Sequence, residues 1–256
     1  PGVSRYKDIF DIARDAGIAV TSNLNLWGAA YSAECSVIAI TGTKGKSTTA
    51  TLVHLMLTGS GIDAGLAGNV GVAPLDIADR HAVVVFELSS YQTADMNFLP
   101  DIAGLTNLYP EHVDWHGSLE RYYRDKLHLI DREGGFPVAL GAAAQGNALV
   151  ASAVRDPARL IRDLTPDERA SLDRAIAASR LKGAHNRDNA HLAARIALAA
   201  GAGLEGILED QDVVFVSRSG ADLLEFAHQV AMHDTQFRIT LGQSPTRPRG
   251  RAGMVE

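Results

Sequence analysis

The chain has 256 residues, of which 46% are hydrophobic and 21% are charged, and its formal net charge is −6. This composition is typical of a folded, soluble protein, and the acidic balance argues against a general nucleic-acid binder, because such proteins carry a basic face. The single cysteine, Cys35, excludes a disulfide within the chain and fits a reducing cytoplasm; we expect it to be a small buried apolar residue. No apolar run reaches the roughly 20 residues that span a bilayer, and the N-terminus lacks a signal-peptide pattern. We therefore expect a cytoplasmic monomer without membrane contact.

The predicted elements alternate between helices and strands. Residues 7–16 favour a short helix, and a connector leads to the apolar run VIAIT at 37–41, which is typical of a buried parallel strand. Further strands are predicted from Ala82 (AVVVFELSS), Asp101 and Pro137. Further helices are predicted over 47–57, from an N-cap at Ser118, over 151–181 with a capping box of Thr165 and Glu168, and over 190–200. This alternation predicts an α/β fold of the P-loop type, with a mostly parallel sheet and helices on both faces.

A glycine-rich turn between the strand at 37–41 and the helix at 47–57 is the strongest local signal. Glycines let backbone amides point inward around phosphate oxygens, and a helix N-terminus adds partial positive charge. Lys46 is predicted to reach the β- and γ-phosphates of ATP, and the Ser47 hydroxyl to ligate Mg²⁺. The alternative, a glycine turn with an exposed lysine, is disfavoured by the order strand, loop, helix. The predicted nucleotide-binding residues of this turn are Gly42, Thr43, Lys44, Gly45, Lys46, Ser47 and Thr48.

The turn is shorter than the common P-loop. Two residues separate Gly42 from Gly45, where the common pattern has four. This GTxGK[ST] loop resembles that of the Mur ligases and of their relatives, the folylpolyglutamate synthases. Those families mostly carry Asn at the position of Lys44, so this lysine either adds positive charge near the phosphates or faces solvent.

Further segments resemble Mur ligase motifs in the order expected of the family. AGNVG contains Asn69, whose counterpart touches the sugar substrate, and ELSSYQ begins at Glu87, a natural Mg²⁺ ligand at a strand end. NLYPEHVDWHGS resembles a stretch in which His112 would be a metal ligand, and YRDKLHL places Lys126 at the position of a carbamylated lysine. AHNRDN resembles the HN-x-x-N motif, whose second Asn, here Asn189, meets adenine. The resemblance adds Asn186 to the predicted nucleotide site. It also adds Ser89, Ser90 and Gln92 to the predicted substrate site.

The resemblance covers roughly residues 36–205 and is nearest to the glutamate-adding, MurD-type branch of the family. It implies an ATP-dependent ligase that joins glutamate to UDP-MurNAc-L-alanine through an acyl phosphate, in peptidoglycan precursor synthesis. It also implies two Mg²⁺ ions, one near Ser47 and Glu87 and one near His112 and a carbamylated Lys126, with Lys46, His112 and Lys126 as the catalytic residues. TGTKGKST together with ELSSYQT is similar to a variant group that takes L-glutamate, but the choice between D- and L-glutamate stays open.

Each of these residues also has a simpler interpretation. Glu87 alone would be a capped acid at a strand end, His112 a solvated loop residue and Lys126 an exposed lysine. Asn186 would cap the helix that follows it. Three other histidines are predicted to be structural or solvent-facing: His116, His128 and His185.

The expected domain organisation is a central ATP-binding domain with short flanks. We expect residues 1–36 to be a remnant of an N-terminal UDP-binding domain, 37–205 to be the central domain, and 206–256 to be an unassigned segment with a disordered tail. A strand from Asp212 and a helix from Ala221 are predicted in that last segment, after a glycine-rich break at 201–206. These short flanks keep two alternatives open, a catalytically incomplete nucleotide-binding fragment and a ligase similar to folylpolyglutamate synthase.

Overall fold

The computed structural model describes residues 3–70, 72–77, 81–179 and 181–209. Within these residues, five parallel strands form one sheet in the order β2-β3-β1-β4-β5. The strands are β1 (Ser36–Thr41), β2 (Ala64–Gly68), β3 (Val83–Glu87), β4 (Ile102–Leu105) and β5 (Val138–Leu140). The helices are α1 (Asp8–Asp15), α2 (Asn23–Tyr31), α3 (Lys46–Gly59), α4 (Ser90–Thr93), α5 (Val113–His116), α6 (Leu119–Leu127), α7 (Ala148–Val154), α8 (Pro166–Ala178), α9 (Ala184–Ala199) and α10 (Leu204–Glu209). The predicted α/β class is confirmed.

Alternating side chains of the strands enter two cores on opposite faces of the sheet. Ile38 and Ile40 of β1 pack with α3, α8, α9 and α10 on one face, whereas Val37 and Ala39 face α2, α6 and α7 on the other. This period of two is expected of a strand that is buried on both sides. It explains why the four central residues of β1, Val37 to Ile40, are all apolar.

β2 and α2 are among the elements that were not predicted from sequence. The edge strand β2 has the sequence AGLAG, which lacks β-branched residues, and its pairing with β3 decides its conformation. Helix α2 was interpreted as a connector, but Ser22 caps it and Trp27 is completely buried beside the Phe86 ring, with centroids 4.7 Å apart. The segment before the phosphate loop is therefore packed into the sheet core.

The predicted start of the helix near position 190 was wrong, and the break predicted at 201–206 is confirmed only for residues 201–203. Helix α9 begins at Ala184, so the HNRDN motif lies inside the helix, where Arg187 forms an ion pair with Asp173 of α8. Helix α10 begins at Leu204 within the supposed break. The capping box of Thr165 and Glu168 on α8 is confirmed. The helix predicted over 151–181 is confirmed only in part, because α7 ends at Val154 and α8 begins at Pro166.

The carboxyl ends of the central strands bring the predicted motifs to one edge of the sheet. β1 lies between β3 and β4, and the chain crosses from one side of β1 to the other. Such a crossing opens a crevice at the carboxyl ends of parallel strands, where ligands bind in α/β folds. The glycine-rich loop follows β1 there, Glu87 ends β3, and Thr106 follows β4.

No helix among the described residues is both long and apolar enough to cross a membrane. The strand predicted from Asp212, the helix predicted from Ala221 and the predicted tail lie outside the described residues. Cys35, expected to be buried, is partly buried and packs against the core on the α2 side of the sheet.

Candidate functional site

The backbone of the glycine-rich loop has conformations that favour glycine. Gly42 has φ 142° and Gly45, the N-cap of α3, has φ 81°. A Cβ atom on Gly45 would lie 2.5 Å from the side-chain oxygen of Asn189, and one on Gly42 would lie 1.9 Å from Thr106 Oγ1. Both glycines therefore leave room for neighbouring polar side chains, and the buried Asn189 of α9 lies directly against the loop.

Residues after β4 hold the loop in place. Asn107 Oδ1 accepts hydrogen bonds from the backbone amides of Thr43 and Lys44, at 3.1 and 2.9 Å. The carbonyl of Lys44 accepts from Asn107 Nδ2 at 2.9 Å and from Thr106 Oγ1 at 2.7 Å. The loop is thus pre-organised by side chains more than 60 residues away, whose roles were not predicted from sequence.

Lys46 points back over the loop. Its Nζ donates to the carbonyl of Thr43 at 3.0 Å, and burial lowers the pKa of Lys46, although the carboxylates of Glu87 and Glu111 oppose this shift. Ser47 and Thr48 are partly buried in the first turn of α3. The amino end of α3 directs unpaired amides and a lysine to the same edge of the sheet, which is an anion-binding arrangement.

Glu87 is a buried carboxylate with one free oxygen. It is 1% exposed at the end of β3, and its Oε1 accepts a hydrogen bond from Asn69 Nδ2 at 3.2 Å. Its Oε2 is buried and has no hydrogen-bond partner among the residues that the structure describes. A buried unpaired carboxylate oxygen is unfavourable, and a hard cation such as Mg²⁺ satisfies it. The residues present therefore fit a metal ion here, although no cluster of three or more His, Cys, Asp or Glu side chains is found in the described part of the chain.

Lys126 is buried, which contradicts the simpler interpretation of an exposed lysine. Its Nζ donates to the carbonyl of Gly42 at 2.7 Å and lies 5.2 Å from the ring centroid of Tyr122. The Tyr122 hydroxyl lies 2.9 Å from Thr43 Oγ1. Burial, together with the nearby cation of Lys46, lowers the pKa of Lys126 to about 7. At neutral pH a large fraction of Lys126 is therefore the uncharged amine.

This pKa shift predicts a pH-dependent stability. Below pH 7 both the folded and the unfolded state hold the proton, so the folded state bears the full cost of a buried cation. Between about pH 7 and 10.5 the folded state loses the proton first, so stability rises with pH. We expect Lys126→Met to raise the free energy of unfolding by about 1–3 kcal/mol near pH 6, where the removed charge outweighs the lost hydrogen bond, and by less near pH 9.5.

Urea unfolding in CO₂-depleted, metal-free buffer at both pH values measures this difference. Lys7→Met, which removes an exposed lysine, is the matched control and should have no effect at either pH. A stability change for Lys126→Met that is the same at both pH values would contradict the shifted pKa.

His112 and Glu111 lie in the segment between β4 and α5. His112 is exposed, has a left-handed φ of 52° and places Nε2 3.5 Å from Glu111 Oε2. The other carboxylate oxygen of Glu111 lies 2.5 Å from Lys44 Nζ. Burial raises the pKa of Glu111, but the hydrogen bond and charge of Lys44 outweigh it, so the net shift is downward. Glu111 was quoted in the motif but not predicted as a site residue.

The two serines of ELSSYQ are engaged within the protein. Ser89 and Gln92 form a capping box at the start of α4. Ser90 Oγ lies 3.0 Å from Nε2 of the fully buried His116, whose Nδ1 lies 2.6 Å from Asp125 Oδ2. Burial lowers the pKa of His116, so the neutral ring donates to Asp125 and accepts from Ser90. His116 is therefore a structural residue, which is one of the two roles predicted for it.

The other predicted polar residues are dispersed around this edge. Asn69 is exposed and contacts Glu87, which places it at the site. Asn186 does not cap α9, since its Nδ2 donates to the carbonyl of Lys182 from inside the helix, at 2.8 Å. His128 is partly buried near the carbonyl of Met96, and His185 is exposed.

Comparison with known proteins identifies sequences and structures that are similar to this chain. Residues 40–162 match the profile described as the Mur ligase middle domain. The chain is 42% identical over 130 residues to a UDP-N-acetylmuramoyl-L-alanine--L-glutamate ligase of Micromonospora sp., which covers 51% of this chain and 28% of the relative. It is 41% identical over 154 residues to the protein of the same name from Xanthomonas euvesicatoria pv. vesicatoria, covering 56% of this chain and 33% of the relative. The chain thus spans about a third of the length of these relatives.

Solved structures share the fold at low sequence identity. The UDP-N-acetylmuramate:L-alanyl-gamma-D-glutamyl-meso-diaminopimelate ligase from Neisseria meningitides superposes with a TM-score of 0.55 at 16% identity, covering 81% of this chain and 74% of that chain. MurF from Acinetobacter baumannii has a TM-score of 0.55 at 21% identity, covering 75% and 50%. L. casei FPGS has a TM-score of 0.54 at 16% identity, covering 79% and 71%. Residues 40–162 are thus similar in sequence to the Mur ligase middle domain, and the chain shares its parallel-sheet fold with these solved structures.

Proposed function

We propose that this chain carries the ATP-binding and phosphoryl-transfer part of a ligase that joins L-glutamate to the carboxylate of UDP-MurNAc-L-alanine. The observation that supports it most is the convergence of the phosphate loop with the unpaired oxygen of Glu87 at one edge of the sheet. The names of the curated relatives support the muramoyl substrate and the L enantiomer. We also propose that the enzyme is monomeric and cytoplasmic and acts in peptidoglycan synthesis.

The chain's own groups have distinct roles in ATP binding. The first amides of α3 would bind phosphate oxygens, and Lys46 would leave the carbonyl of Thr43 to contact the β- and γ-phosphates. Asn189, which lies against Gly45, would reach the adenine end together with Asn186. Gly42, Gly45 and Thr48 would contact the nucleotide through their backbone. The amides of Thr43 and Lys44 already donate to Asn107, so these two residues are proposed to lie beside the nucleotide without using their amides.

The acidic and basic groups fit two metal positions. Mg²⁺, when bound, supplies positive charge that offsets the phosphate oxygens; Ser47 and Glu87 would hold one ion, and His112 and a carbamylated Lys126 the other. The neutral amine of Lys126 would attack CO₂, forming an N–C bond and releasing one proton. This reaction converts a group that repels cations into an anionic oxygen ligand, and the lowered pKa of Lys126 favours it.

The proposed reaction has two steps. A carboxylate oxygen of the muramoyl substrate attacks the γ-phosphorus, the bond to the β-phosphate oxygen breaks, and ADP leaves. The glutamate amine then attacks the acyl carbon, loses a proton and expels phosphate. Two anions must approach in the first step, so charge neutralisation by Lys46 is its main requirement. Asn69, Ser89, Ser90 and Gln92 are proposed to lie on the side of the sugar substrate.

Two other functions remain candidates. One is a nucleotide-binding unit that does not carry out ligation, which the phosphate loop at the amino end of α3 favours. The shared fold with L. casei FPGS favours a folylpolyglutamate synthase type of ligase, but the relatives at about 40% identity are named as muramoyl ligases.

Phosphate release from ATP tests the proposal. The assay contains UDP-MurNAc-L-alanine with either L- or D-glutamate, and Lys46→Ala as the control. We expect release that requires both substrates, prefers L-glutamate and disappears in the control. If the protein binds ATP, loses that binding in Lys46→Ala and releases no phosphate, the nucleotide-binding unit becomes the preferred function. If phosphate is released with dihydropteroate-type substrates instead, the folylpolyglutamate synthase type of ligase becomes the preferred function.

A further inference from the structure

Lys44 extends from the phosphate loop into solvent, yet its charge is paired. Its side chain is 72% exposed, and its Nζ lies 2.5 Å from Glu111 Oε1 across the mouth of the loop. Lys46 and Lys126, by contrast, donate to backbone carbonyls of the loop itself. Lys44 is therefore a loop lysine that is held by a carboxylate from another segment.

The backbone of Lys44 is fixed, so only its side chain is free to move. The amide of Lys44 donates to Asn107, and its carbonyl accepts from both Asn107 and Thr106. The side chain has four flexible carbon–carbon bonds and no other hydrogen-bond partner among the contacts of the described residues. Rotation about those bonds lets Nζ leave Glu111 without disturbing the loop.

Glu111 is the counter-charge of several cations at this site. Besides its contact with Lys44, it lies 3.5 Å from His112 Nε2. Its negative charge also acts on Lys46 and on Lys126. In the unliganded protein Glu111 thus provides the negative charge that a polyphosphate would bring to the same groups.

We propose that Lys44 is a phosphate-binding side chain, which Glu111 holds in the unliganded protein and which transfers to the polyphosphate of the nucleotide on binding. This inference rests on the proposed function, because it requires ATP at the loop. An exposed ion pair contributes little to stability, so it separates easily. A polyphosphate with several charges accepts charge-assisted hydrogen bonds that are stronger. An asparagine at this position would have no charge to transfer.

A double-mutant cycle on ATP affinity tests the transfer. Lys44→Met, Glu111→Gln and the double variant are titrated with ATP by calorimetry, in EDTA so that metal binding near His112 does not contribute. We expect Lys44→Met to weaken ATP about tenfold, on the scale of one charge-assisted contact. Glu111→Gln should tighten ATP about three- to tenfold when Lys44 is present and less than about twofold when it is absent.

Matched controls separate this local exchange from a change in net charge. Lys7→Met and Glu120→Gln remove an exposed lysine and an exposed glutamate, and both should leave the ATP affinity unchanged. An equal gain from Glu111→Gln in both backgrounds would mean that Glu111 merely repels phosphate, and would overturn the inference. So would an unchanged affinity in Lys44→Met. If neither wild type nor Lys46→Ala binds ATP, both the proposed function and the inference are wrong. If ATP binds but the effects of the two substitutions on its affinity are additive, only the inference is wrong.

Discussion

Replacing Glu87 by Gln is expected to lower ATP-dependent phosphate release by about 10³-fold, because a metal ion contributes several kcal/mol to phosphoryl transfer and each 1.36 kcal/mol is a factor of ten. The change keeps the shape of the side chain and its hydrogen bond with Asn69. It removes the negative charge from the buried oxygen that has no partner. Since a buried charge is unfavourable by itself, the metal-free Gln variant should unfold at the same temperature as wild type or higher.

Two measurements distinguish this effect from misfolding. Calorimetry should show that added Mg²⁺ strengthens ATP binding in wild type and has little effect in Glu87→Gln, while metal-free ATP affinity stays similar. Glu120→Gln changes a fully exposed glutamate of α6 and should behave as wild type in both assays. An unaltered Mg²⁺ dependence in a folded Glu87→Gln protein would rule out Glu87 as a metal ligand.

The second large effect is expected from Lys126→Ala, which should lower phosphate release by about 10²–10³-fold, with at least a tenfold recovery in added formate or acetate. Truncation to alanine removes the amine that CO₂ would modify and leaves space next to Gly42. A small carboxylate entering that space supplies the anionic oxygen that the carbamate would provide. Thermal unfolding establishes that the variant is folded before activity is compared.

Lys46→Ala is the matched control, because it removes a neighbouring lysine whose proposed role requires positive charge. Carboxylates should not restore its activity. A ¹³C carbamate signal in wild type grown with labelled bicarbonate, absent in Lys126→Met, gives a readout that does not depend on turnover. A folded Lys126→Ala protein that carboxylates never restore, together with no carbamate signal, would exclude the carbamate role.

The sequence predicted best those parts of the structure that depend on local pattern. β1 and β3 are rich in β-branched residues, and the loop between β1 and α3 has glycines where its backbone needs them. β2 has no such pattern, because its pairing partner determines it. The start of α9 was misplaced because HNRDN contains weak helix formers, and the ion pair from Arg187 to α8 supports them only in the folded protein.

The candidate site was predicted as a set of residues but not as a geometry. The sequence places Lys46 shortly after β1 and Glu87 at the end of β3. The parallel pairing of these two strands brings both residues to one edge of the sheet. The burial of Lys126 and its contact with Gly42, 84 positions away, depend on the tertiary packing of α6. The contacts of Asn107 with the loop likewise join positions more than 60 residues apart, beyond the range of any local pattern. The roles of these residues therefore remain proposals that the variants described above test.

The packing of α2 shows that the folding unit is longer than the segment that contains the motifs. The motifs begin with β1, but Trp27 fills the far side of the sheet against Phe86, the residue that precedes Glu87. A chain started at residue 37 would keep every motif and lose the support behind the strand that presents Glu87. A minimal domain prepared for biophysical work, or grafted into another protein, should therefore begin before the cap of α2 at Ser22.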